Sequence, residues 1–187
     1  MRSTSLALLL LTALALAGSD GMYESAKQKI ERIASDQAER GSTVTLSTAE
    51  VNALVNGKIR EEGIEGVRNP KVVLAGGKGT WSGIVDFEKL PQLESLRNNF
   101  LLSSLLKGES PIAATLTMTS GAGQATVDVE SVTIGETTFE GSTLGYLVQA
   151  VILDDYPEVE LGKPFELEHN VERIDLKPSG IAVKIRN

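Results

Sequence analysis

Between Ser110 and Gly135 the apolar pattern of this chain changes phase, and few folds accommodate that change. Ile112, Ala114, Leu116 and Met118 alternate with Ala113, Thr115, Thr117 and Thr119, which predicts a strand with one apolar and one largely hydroxylic face. Ser120-Gly121-Ala122-Gly123 reads as a tight turn. In the strand after it, Ala125, Val127 and Val129 share a face, but the next apolar residues, Val132 and Ile134, have the other parity. Strand side chains repeat with a period of two, so keeping both sets inside requires an extra residue near Glu130-Ser131, a β-bulge. A bulge bends and twists its strand, so the pattern predicts a curved sheet around an apolar interior.

The C-terminal stretch repeats the device. Phe165, Leu167 and Val171 share a parity that Ile174 and Leu176 leave, which places a second bulge near Glu172-Arg173. Pro178-Ser179-Gly180 then turns the chain into Ile181, Val183 and Ile185, expected to close the same sheet. Upstream, residues 64–75 form an extended region interrupted by Asn69-Pro70, where proline suits an edge strand. After Gly76-Gly77, the residues Trp81, Val85 and Phe87 share a face with Gly79 and Gly83, which leave room for close approach to the only Trp.

Four helices are expected. Tyr23, Ala26, Ile30 and Ile33 recur at helical spacing between Met22 and Gln37, a narrow stripe that either packs on its own domain or meets a partner. Ser47-Thr48-Ala49-Glu50 has capping-box spacing, and Val51, Leu54, Val55 and Ile59 follow on one side, with Asn56-Gly57 expected to fray the second half. Pro91 opens a strongly apolar helix that runs through Leu105 and Leu106 to Gly108. Ser142 is expected to cap the last, whose stripe is Leu144, Leu147, Val148, Val151 and Ile152.

Arg2, the apolar run from Ser5 to Ala17 and the small-x-small ending Ala15-Leu16-Ala17 have the form of a signal peptide. The run falls short of the about 20 apolar residues that span a bilayer, so cleavage after Ala17 and export are expected, with retention as an N-terminal anchor as the alternative. The chain therefore divides into a signal peptide at 1–17, an N-terminal helix and linker at 18–40, and one α+β domain at 41–187.

Composition narrows the function. A formal charge of -7, with no cluster of Lys and Arg, argues against a nucleic-acid partner. There is no cysteine, hence no disulfide, thiolate site or lipid-modified Cys. His169, the single histidine, lacks partners at the spacing of a triad or a metal site. Asp154, Asp155, Glu158 and Glu160 lack the alternating ligand pattern of a calcium loop and read as a solvated turn. Gly76-Gly77 and Gly121-Ala122-Gly123 lead into no helix with a Lys-Ser/Thr ending, so they are hairpin turns rather than phosphate loops. No catalytic residue, metal or cofactor is assigned, and the chain reads as a non-enzyme.

What remains is apolar. A curved sheet meeting two apolar helices either fills its interior with side chains or leaves a groove for an acyl chain. Trp81, Val85, Phe87, Leu116, Met118, Leu147 and Val151 are the candidate lining of that seam. The segment from Val44 to Val55 (Val44-Thr45-Leu46-Ser47-Thr48-Ala49-Glu50-Val51-Asn52-Ala53-Leu54-Val55), the long strands, the mid-chain helix and the closing Gly162-Lys163-Pro164-Phe165-Glu166-Leu167 together resemble exported bacterial proteins similar to the tubular lipid-binding (TULIP) superfamily. The resemblance implies a long, highly curved antiparallel sheet wrapped on a helix, with a lipid or hydrophobic ligand in the seam.

The expected fold class is thus α+β, a long, curved antiparallel sheet wrapped on apolar helices and preceded by a signal peptide. The expected function is an exported domain, periplasmic or extracellular, that binds or shields a lipid-like ligand in the cell envelope. The alternative is a structural or adaptor module with a closed core, docking on an envelope protein through the helix at Tyr23–Ala34 or an open strand edge. A hydrophobic small molecule, an envelope protein and a membrane surface are the partners this reading admits.

Overall fold

The computed structural model describes residues 20–90, 103, 105–148 and 161–187. The signal-peptide segment, most of the helix expected from Pro91 to Gly108, the acidic turn from Asp154 to Glu160, and Val151 lie outside the described residues.

The fold is α+β with antiparallel strands. Helix α1, Asp20–Ala34, buries Tyr23, Ala26, Ile30 and Ile33, the whole apolar stripe read from the sequence. Burial stabilises by about 1.5–3 kcal/mol for each large aliphatic such as Ile30 or Ile33, so the stripe is an internal surface of the protein. Strand β1, Thr43–Ser47, leads directly into α2, Thr48–Glu61, through the expected capping box. Ser47 Oγ accepts from the Glu50 N–H at 3.2 Å while Glu50 Oε2 accepts from the Ser47 N–H at 2.8 Å.

Contrary to the expected fraying at Asn56-Gly57, α2 continues unbroken to Glu61. The reason is tertiary. The Tyr23 ring rests on the bare backbone of Gly57, where an added Cβ would lie 2.1 Å from Tyr23 Cε2. Glycine is there for close helix approach rather than to break the helix.

Strands β2 (Val67–Ala75), β3 (Lys78–Asp86), β4 (Glu109–Gly121), β5 (Gln124–Ile134) and β6 (Thr137–Phe139) follow one another across a large sheet in that order. A short helix α3, Gly141–Val148, follows β6, and the chain returns as β7, Pro164–Glu166, against the start of β5. Ser142 is inside α3 rather than at its cap, since the helix begins one residue earlier. Phe87, expected on the β3 strand, instead begins a single 3-10 turn at Phe87–Lys89, started by Asp86 Oδ1 accepting from the Glu88 N–H at 3.1 Å.

Both predicted bulges are present. Thr115 faces Ser131 while Leu116 faces Val129, so Glu130 is the extra residue. In β8 (Val171–Lys177), Val171 faces Ile185 and Arg173 faces Lys184 of β9 (Gly180–Ile185), which leaves Glu172 extra. A third irregularity sets Asn69 and Pro70 of β2 against Gly83, with Asn69 at a φ of 49°.

The C-terminal strands do not close the large sheet. β9 pairs with β1 and β8, which makes a separate three-stranded sheet in the order β1-β9-β8. Nor do Phe165 and Leu167 continue into β8, because His169 and Asn170, both at a φ of 55°, turn the chain between β7 and β8. The two sheets meet where the turns of the large one reach the outer edge of β8. Gly77 N–H donates to Leu176 O at 3.1 Å and Gly123 N–H to Glu172 O at 2.8 Å. Ser120 Oγ donates to Ile174 O at 2.6 Å and accepts from its N–H at 2.8 Å. A hydroxyl thus replaces a neighbouring strand there.

Candidate functional site

Residues opposite one another in adjacent antiparallel strands share a face, so the registers map the inner face of the large sheet. One row reads Val72, Trp81, Ala114, Val132, Phe139 and the next Leu74, Gly79, Leu116, Val129. The bulge at Glu130 is what brings Val129 and Val132 to the same side. On the opposite face the partners are hydroxylic. Thr80 and Thr115 are hydrogen-bonded at 3.1 Å, and Thr133 and Thr138 at 3.0 Å.

Two apolar clusters occupy the ends of the inner face. The near one gathers α1, α2, the small sheet and the large-sheet residues Val72, Leu74, Met118 and Val127. The far one joins Val85, Phe87, Leu106, Ile134, Phe139, Leu144 and Val148. Between them runs a belt of half-buried residues: Trp81, Ala114, Leu116, Val129 and Val132. Trp81 and Leu161 pack against both clusters. The Trp81 ring lies along its own strand, so that an added Cβ on Gly83 would stand 3.1 Å from Cζ2.

The seven seam candidates therefore separate. Trp81 and Leu116 lie on the belt, Met118 is buried in the near cluster, and Val85 and Phe87 are buried in the far one. Leu147 belongs to α3, but its side chain and all of Val151 are outside the described residues. Ala114, Val129 and Val132 complete the belt without having been among the candidate lining residues. For Val129 and Val132 the phase change itself was the available signal.

The chemistry of the belt is hydrocarbon and one indole. Among the described residues the one buried charged side chain is Glu50, and it lies between the two N-terminal helices instead. Its Oε1 accepts from Lys29 Nζ at 2.6 Å and Ser25 Oγ at 2.7 Å. Burial alone would raise this carboxyl, but Lys29, Ser47 and Ser25 outweigh it and hold it down to about 2. At the other end of α2, burial and the Glu61 carboxylate push Tyr23 up to about 12, and Glu61 is held down to about 2 by its neighbours Tyr23, Lys27 and Lys58.

Among the described residues no polar constellation competes with the belt. Among the described residues no group of three His, Asp or Glu side chains is placed to hold a metal. His169 has Asp36 Oδ2 3.8 Å from Nδ1 and Glu168 Oε2 3.8 Å from Nε2, so the two carboxylates sit at opposite ring nitrogens and do not converge. A surface hollow of ≈ 560 Å³ beside the second half of α1 is lined by Gln28, Glu31, Arg32, Ala34, Ser35 and Gln37 and shares no residue with the seam. Among the described residues no helix is long and apolar enough to cross a membrane.

The chain matches no family model, no curated protein and no solved structure.

Proposed function

We propose that this is an exported, non-enzymatic domain that binds or shields a lipid-like hydrophobic molecule in the cell envelope, in a seam formed where its long, curved sheet wraps on apolar helices. The observation that carries this reading is the half-buried belt of Trp81, Ala114, Leu116, Val129 and Val132 between two well-buried clusters. Apolar surface left partly accessible beside a packed core gains about 25 cal/mol for each Å² withdrawn from water. An acyl chain laid across the belt would withdraw it without asking for a polar partner. The sequence likeness to TULIP-related exported proteins and the signal-like residues 1–17 support the same reading, with Leu147 and Val151 as further lining.

Native mass spectrometry of the purified protein, with melting temperatures in added fatty acids or phospholipids, tests it. The expected result is a co-purifying lipid and a rise in melting temperature. Absence of both overturns the proposal. Leu116→Arg is expected to abolish binding, and Thr117→Arg, on the opposite face, to leave it intact and report on folding.

A further inference from the structure

We draw no further inference here: the strongest candidate, the stretch Asp128–Ser131 of β5 left between its pairings with β7 and β6, carries nothing, because nothing in the structure shows what covers it.

Discussion

Asn52 and Val72 are joined by two hydrogen bonds of 2.8 Å, the amide of Asn52 accepting from the Val72 N–H and donating to the Val72 carbonyl. β2 is the edge of the large sheet, so a helix side chain there does the work of a missing strand. The same Nδ2 also donates to Thr48 O at 2.9 Å, which fixes the amide's orientation from within α2. Asn52→Leu should therefore lower stability by about 1–3 kcal/mol, the cost of stranding a buried backbone pair. Asn52→Asp, which keeps the acceptor and loses the donor, should not restore the wild-type value. Urea unfolding of the three proteins checks this, and a Leu variant as stable as wild type would refute it.

Gly57→Ala gives a second expectation with a sign opposite to intrinsic propensity. In an exposed helix the change would stabilise by about 0.5–1 kcal/mol. Here the new methyl meets the Tyr23 ring, and overpacking of this kind costs about 1–3 kcal/mol. Tyr23→Ala should cancel much of that penalty, so a double-mutant cycle by thermal or urea unfolding should show strong coupling.

Acid stability should depend on Glu50. Its carboxyl is held at about 2 in the folded protein against an ordinary value of 4.5. A depressed carboxyl stabilises the fold above its unfolded value and loses that contribution as pH falls through the folded one. Stability should therefore decline between pH 4.5 and about 2, and Glu50→Gln should flatten part of that slope while lowering stability at neutral pH. Unfolding free energies measured across pH 2–7 decide the point.

Deleting Glu130 should straighten β5 without turning its apolar face over, at a larger cost than truncating the side chain. Glu130→Ala removes an exposed pair with Lys78, whose Nζ lies 2.7 Å from Oε1, and such pairs contribute at most about 1 kcal/mol. Removing the residue erases the bulge, but Ser131 then follows Val129 directly, so the pairs Thr115–Ser131 and Leu116–Val129 form a regular ladder. Val132 and Ile134 still face inward, and what is lost is the local bend and twist. Circular dichroism and melting curves should show a near-native alanine variant and a deletion that still folds cooperatively but melts at a lower temperature; a deletion as stable as the alanine variant would show that the bend contributes nothing.

Trp81 supplies a direct optical readout of the proposed seam, because it is the only tryptophan and lies on the belt. Its emission should shift to shorter wavelength when phospholipid or fatty acid is added, and should not do so in Leu116→Arg. An unchanged spectrum at saturating lipid would speak against the belt as the binding surface.

The bulges at Glu130 and Glu172 were readable from the chain because a period-two pattern cannot change parity without inserting a residue. The capping box at Ser47 and Glu50 was readable for a similar reason, being a local geometry with a local spacing. The division into two sheets was not. β9 finds its partner in β1, over a hundred residues earlier, and alternation says which way a strand faces without saying which strand it meets. Gly57 misled because its local propensity opposes helix while Tyr23, from another helix, requires the space. Alternation assigned Trp81 and Leu116 each to the apolar face of its own strand, but it could not tell a belt position from one deep in a cluster, as at Met118 and Val85. That distinction depends on what α1, α2 and the small sheet cover. Asn52 was passed over because an asparagine among apolar helix residues gives no hint that it serves an edge strand.

The contacts from Gly77, Ser120 and Gly123 to β8 have a mechanical corollary. They rivet the turn ends of two hairpins to a second sheet, so the large sheet is clamped along one border. Among the described residues the opposite border, which carries Val85 and Ile134, is held by side-chain packing in the far cluster instead of by backbone hydrogen bonds to a second sheet.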